Sequence, residues 1–150
     1  MGVSRLRTAR YRRRALLIIS DGGDNNSRFC LNDIKSLVQE SDVMVYAIGI
    51  TDEFNLPLFK RLDQRARKRY LDEITAASGG RTIMVNNLAR VPDAAAAISR
   101  EMRYQYILGY KPSNRVHDGS WRRIKVRVAS TPPEPPLQAF YRRGYVSSRP

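Results

Sequence analysis

Residues 15–26 read Ala15-Leu16-Leu17-Ile18-Ile19-Ser20-Asp21-Gly22-Gly23-Asp24-Asn25-Asn26, a run of five apolar side chains that stops in carboxylates, amides and glycines. Five apolar residues without alternation suit a strand covered on both faces, as in a parallel sheet with helices above and below. Asp21 then stands at the carboxyl end of a central strand, the edge at which open α/β sheets bind ligands. Asp21, Asp24, Asn25, Asn26 and Ser27 supply the hard oxygens that Mg²⁺ or Ca²⁺ takes. The same residues also make an ordinary polar strand-to-helix turn with capping side chains, and their spacing is not that of an EF-hand loop.

Outward from this stretch the pattern stays α/β. Leu31, Ile34, Leu37 and Val38 fall at helical spacing and predict a helix over one face of the sheet. Residues 43–50 predict a second buried parallel strand, rich in β-branched side chains. The mostly charged run 61–69 reads as a solvated helix face; Tyr70, Leu71, Ile74 and Ala77 then resume the apolar stripe, and Gly79-Gly80 stops the helix. Residues 82–85 make a short third strand, and Pro92 and Asp93 open a helix carrying four alanines with Ile98 and Met102.

The last third differs in kind. Residues 104–110 and 121–129 read as strands separated by the turn signals Pro112-Ser113-Asn114 and Asp118-Gly119. They predict a β-hairpin, with a third strand in 140–146 beyond the proline-rich break at 132–136. Along 121–129, Ile124, Val126 and Val128 share one face, while Arg123, Lys125 and Arg127 share the other, so that one side packs and the other is basic and wet.

The net charge of +13 is unevenly spread. Residues 1–14 carry +6 and 100–150 carry +8, whereas 15–99 carry −1. A neutral middle between basic ends bears on partners more than on fold. The basic surface with Tyr104, Tyr106, Tyr110, Trp121 and Tyr141 has the composition of a single-strand nucleic-acid binder. It equally suits hairpin aromatics beside a solvated strand face, and no RNA- or DNA-binding signature accompanies it. Residues 1–14 read either as a basic tail or as a helix leading into the first strand.

Cys30 is the only cysteine, which excludes an internal disulfide and a cysteine-built zinc site,. No apolar run approaches the ~20 residues that cross a bilayer. The basic start followed by residues 15–19 imitates a signal peptide, but the apolar run is short and leads directly into Asp21, so it reads as a strand. Catalysis and nucleotide binding lack support. His117 is the only histidine and lies among turn residues, and neither Gly-x-Gly-x-x-Gly nor a phosphate-binding Gly-Lys-Ser/Thr occurs,.

Ser20-Asp21-Gly22 after an apolar strand, Val45-Tyr46-Ala47-Ile48-Gly49-Ile50, Ala77-Ser78-Gly79-Gly80-Arg81-Thr82, Tyr106-Ile107-Leu108-Gly109-Tyr110-Lys111-Pro112, Asp118-Gly119-Ser120-Trp121-Arg122-Arg123-Ile124-Lys125-Val126 and Arg143-Gly144-Tyr145 follow one another in an order that resembles the von Willebrand factor A family, in its bacterial VWFA-related branch. The resemblance covers about residues 15 to 146 and matches strands four to six and the C-terminal portion of that branch. It implies an α/β three-layer, partial von Willebrand A-like (Rossmann-like) parallel sheet with helices over 15–103, preceded by a basic tail, 1–14, and followed by a C-terminal antiparallel β-hairpin extension, 104–150. The family's divalent-metal site draws on Asp-x-Ser-x-Ser, which does not occur in the chain. Asp21 is the surviving metal candidate and Asp24 a weaker one, so Mg²⁺ or Ca²⁺ binding is expected to be weak or absent.

The function the resemblance implies is non-enzymatic protein binding of adhesion type, in a cell-envelope or secreted setting. In the family, strand four pairs with strand one, so residues 15–19 are expected to present an open apolar edge. That edge predicts self-association, pairing with a separately encoded first half of the domain, or poor solubility; alternatively the protein is longer and starts upstream of Met1. The alternative is a basic nucleic-acid-binding protein that uses Arg123, Lys125 and Arg127 together with the N-terminal arginines.

Overall fold

The computed structural model describes residues 2–11, 14–20, 30–51, 58–129 and 137–147. In chain order it contains α1 (Gly2–Arg7), β1 (Arg14–Ser20), α2 (Leu31–Glu40), β2 (Val43–Ile50), α3 (Leu58–Ser78), β3 (Thr82–Val85), a 3₁₀ turn (Leu88–Arg90), α4 (Val91–Arg103), β4 (Trp121–Arg123) and β5 (Gly144–Val146). The first three strands form a parallel sheet in the order β1-β2-β3, and β4 and β5 form a separate antiparallel pair. Mixed α/β architecture with three parallel strands followed by antiparallel structure is thus as the apolar runs and turn signals predict.

The alternation of side chains along the strands divides the core in two. Val43 and Val45 of β2, with Leu16 and Ile18 of β1, pack against Val3 and Leu6 of α1, Val38 of α2, and Ile74 and Ala77 of α3. On the other face Tyr46 and Ile48, with Ile83 and Val85 of β3, pack against Ala94 and Ile98 of α4. The small alanines let α4 approach the sheet closely. Parallel pairing sets Leu16 against Val45 and Ile18 against Ala47, and then Ala47 against Thr82 and Gly49 against Met84. The central strand β2 is therefore buried on both sides.

β2 has eight residues and β3 has four, so the first half of β2 has no strand beside it on the β3 side. The segment Ser78-Gly79-Gly80 fills that place. The buried Ser78 Oγ accepts from the Val45 N–H at 2.8 Å and from the Gly80 N–H at 3.3 Å, and it donates to the Thr75 carbonyl at 2.8 Å. α3 ends in a Schellman motif: Gly79, at φ 87°, donates to the Ala76 carbonyl and Gly80 to the Thr75 carbonyl,. A Cβ on Gly80 would lie 2.0 Å from the Val45 carbonyl oxygen, so only glycine passes this close to β2,.

Three expectations change. The strand at 15–19 is not covered on both faces: β1 is an edge strand, and Leu17 and Ile19 are 40% and 53% exposed. The reason is the placing of helices, because α1 to α3 share one face while α4 alone serves the other, packing on β2 and β3. Residues 1–14 are not a free tail throughout. Val3 is buried, Leu6 packs on the core, and Arg14 Nε donates to the Tyr11 carbonyl at 3.1 Å. Finally, 104–110 is not a strand, and of 121–129 and 140–146 only Trp121–Arg123 and Gly144–Val146 are; β4 pairs with β5, Trp121 facing Val146 and Arg123 facing Gly144. The Arg122 guanidinium draws the carbonyls of Asn114 and Val116 towards β4, which folds the intervening loop against the strand in place of a tight hairpin.

Loss of the Ser78 hydroxyl strands a fully buried N–H, which costs about 1–3 kcal/mol. Urea denaturation is expected to show Ser78→Ala destabilised by that amount, and Gly80→Ala by more because its methyl collides with backbone. An unchanged midpoint for Ser78→Ala would mean that the hydroxyl is dispensable to β2.

Candidate functional site

The metal candidates Asp21 and Asp24, with Asn25, Asn26 and Ser27, lie outside the described residues. The described part of β1 ends at Ser20, beside Gly49 of β2. Among the described residues no group of three or more His, Cys, Asp or Glu side chains has the arrangement of a metal site. Nor is any helix among them long and apolar enough to cross a membrane.

The carboxyl edge also holds a groove of about 560 Å³ between β3 and the start of α4, lined in part by Thr51, Arg81, Asn86, Arg90 and Asp93. Its charges are matched within the chain. Arg90 Nη1 lies 3.4 Å from Asp93 Oδ2, and Arg81 Nε donates to Glu101 Oε2 at 3.1 Å while its guanidinium stacks 5.2 Å from the Phe140 ring centre. A groove so neutralised offers shape with little directed chemistry.

β1 presents a different surface. Its backbone pairs with β2 on one side, and among the described residues no strand pairs with the other. Leu17 and Ile19 point to the α4 side of the sheet beyond the reach of that helix, so an apolar strip runs beside an unpaired strand edge. Such edges are templates for strand addition. The open edge is where the sequence places it; the bareness of Leu17 and Ile19 is not legible in a uniformly apolar run.

The predicted alternation holds over 122–127 only: Val128, expected on the packed face, is exposed, and Lys125 and Arg127 lie beyond the end of β4. Arg123, Lys125 and Arg127 are exposed, while Arg122, Ile124 and Val126 are partly buried. The strand is fastened at both ends: Ile124 N–H donates to the Arg143 carbonyl at 2.8 Å and Ser147 N–H to the Ser120 carbonyl at 2.9 Å. Asp118 is the clasp. Its Oδ1 accepts from the Ser120 N–H at 2.9 Å and from Ser147 Oγ at 2.8 Å. Hydrogen bonds from Ser120, then from Ser147, hold the Asp118 carboxyl far below the usual carboxylate range. The turn signal Asp118-Gly119 locates this residue, with Gly119 at φ 72°, but gives no hint of the long-range bond to Ser147.

No family model matches the chain, and no curated protein matches it. Among solved structures the chain is similar to an uncharacterized membrane spanning protein from Vibrio fischeri, at 15% identity and a TM-score of 0.45. The match covers 59% of this chain and 47% of that one, so the chain spans less than half of that protein's length.

A carboxylate whose value is depressed in the folded state contributes stability that is present above its unfolded value, about 3.9, and lost as pH falls through the folded one. The β4–β5 pair is therefore expected to survive at about pH 4 and loosen only well below it. Trp121, the only tryptophan, reports this by fluorescence. Asp118→Ala is expected to give the loosened spectrum already at neutral pH. A wild-type transition near the unfolded carboxyl value would contradict the clasp.

Proposed function

We propose that the chain is a non-enzymatic protein-binding module of von Willebrand A type, whose binding surface is the free edge of β1 with Leu17 and Ile19. The observation that carries this reading is the apolar strip left bare beside the unpaired outer edge of β1. The ordered motifs of the VWFA-related branch support it, as does the parallel sheet with helices on both faces. In this reading β1, β2 and β3 are strands four, five and six of a Rossmann-like A domain. The occupant of the edge is a polypeptide that supplies the first half of such a domain, with a strand beside β1, a helix over Leu17 and Ile19, and the Asp-x-Ser-x-Ser that this chain does not contain. Asp21 then joins those serines around Mg²⁺ or Ca²⁺, an oxygen set that suits either ion.

Without that polypeptide the same edge turns to a second copy. Sedimentation velocity is expected to show concentration-dependent association of the purified chain. Replacing Leu17 and Ile19 by lysine is expected to give monomers that retain native far-UV circular dichroism, because a charged edge resists strand addition. A wild-type chain that stays monomeric and unfolds cooperatively at every concentration would refute the reading. Calorimetric titration with Mg²⁺ and Ca²⁺ tests the metal arm: Asp21→Ala is expected to remove whatever binding the wild-type chain shows.

The outward set of Arg123, Lys125 and Arg127 favours a second reading, nucleic-acid binding by the basic segment that begins in β4. The two readings part on salt. Phosphate-backbone binding falls steeply as salt rises, whereas an apolar strand edge holds or strengthens.

A further inference from the structure

A cavity of about 270 Å³ opens between the 111–117 loop and the β4–β5 pair, lined in part by Lys111, Arg115, His117, Arg122, Tyr145 and Ser147. Three of these side chains are permanent cations at neutral pH and a fourth is a histidine. No carboxylate is among the described residues that line it. The nearest, Asp118, approaches Arg122 Nη2 at 3.6 Å but has its Oδ1 committed to Ser120 and Ser147. Lys111 and Arg115 form no ion pair with any described residue.

The walls are held in place before any ligand arrives. Arg122 Nη1 donates to the Asn114 carbonyl at 2.6 Å and Nη2 to the Val116 carbonyl. Val116 N–H donates to Asn114 Oδ1 at 2.9 Å, closing the loop on itself. Tyr110 packs edge-on to Tyr145 with ring centres 6.4 Å apart. The Nε of Arg122 is buried and has no hydrogen-bond partner among the described residues. Three cations gathered at one cavity, one of them held by loop carbonyls, are matched by an anion of high charge density,.

We infer that this cavity is an anion site whose ligand is a phosphate group, free or as a monoester. Size decides against anything larger being enclosed. At about 270 Å³ the cavity has room for a phosphate and its first attached atoms but lies below the usual span of pockets that enclose drug-sized molecules,. Lys111 and Arg115 supply unpaired charge at the rim, Arg122 adds the charge of a fixed guanidinium, and the hydroxyl of Tyr145 adds a neutral hydrogen-bonding group. The +8 carried by residues 100–150 draws the anion in,. The site is independent of the β1 edge and stands whether or not that surface binds protein.

The test is calorimetric titration of the full chain with inorganic phosphate, phenyl phosphate and a dodecamer of thymidylate, at fixed ionic strength set with chloride. Saturable one-to-one binding of phosphate or phenyl phosphate is expected, weakened about tenfold or more in the Lys111→Ala/Arg115→Ala double variant. That variant leaves the Arg122 bonds and the Asp118 clasp untouched. Tighter binding of phenyl phosphate assigns the group to a larger molecule, and tighter binding of phosphate assigns the free ion. Equal affinity in wild type and double variant would show diffuse attraction to a cationic chain and overturn the site. So would binding of the oligonucleotide alone, steep in salt, with neither small phosphate saturating.

Discussion

The Val45 backbone sets the constraint from which much of this fold follows. β2 runs twice the length of β3, so the N–H of Val45 faces a position where a longer β3 would have placed a carbonyl. Val45 is fully buried, which denies that N–H water, and a buried donor left unmade costs more than a typical hydrogen bond contributes. The Ser78 hydroxyl takes the place of the missing strand at 2.8 Å. To deliver it, α3 must end at that residue and the chain must turn at once towards β3. The left-handed Gly79 makes the turn, and Gly80 passes over the Val45 carbonyl where no Cβ fits.

The same turn seats the far end of the chain. A Cβ on Gly79 would lie 2.7 Å from the Arg142 nitrogen, so the segment before β5 rests directly on the glycine. Around this contact Arg142 Nη1 reaches Asp42 Oδ1 at 3.3 Å, and the Arg81 guanidinium lies between Glu101 and the Phe140 ring. Exposed ion pairs contribute little by themselves. Here their value is positional: residues a hundred apart in sequence meet beside the turn that joins α3 to β3. The antiparallel pair is thereby tied to the parallel sheet by side chains rather than by a shared strand.

The sequence discloses elements where one local pattern decides and fails where a distant partner does. The helical spacing of Leu31, Ile34 and Val38 fixes α2, and Gly79-Gly80 fixes the end of α3, because each is a property of neighbouring residues. Residues 104–110 mislead for the same reason. Their tyrosines, isoleucine and leucine have strand propensity, yet Tyr106 is 91% exposed and Ile107 and Leu108 nearly as bare, since β4 finds its partner at Gly144–Val146. Propensity names a segment able to pair and not the one that does. Likewise the run from Ala15 to Ile19 gives the strand but not its exposure, which depends on how many helices reach each face. At the candidate sites, the alternation at Arg123, Lys125 and Arg127 is legible because it is local. The meeting of Lys111, Arg115 and Arg122 is not, since guanidinium bonds to loop carbonyls bring it about.

The two surfaces left over by the packing differ in physical kind. At β1 the surplus is apolar area and unpaired backbone, made when three helices crowd one face of a three-stranded sheet and a single helix serves the other. Beside the β4–β5 pair the surplus is positive charge: Asp118 lies 3.6 Å from Arg122, while Lys111 and Arg115 have no ion-pair partner among the described residues. Strand addition draws on backbone hydrogen bonds and apolar burial and gains little from charge, whereas an anion gains most from gathered cations. Occupancy of one surface therefore places no demand on the other. The tie between the two sheets runs through Arg142, Arg81 and the glycine turn, which border neither surface, and so a partner at β1 leaves the basic cavity open to its own ligand.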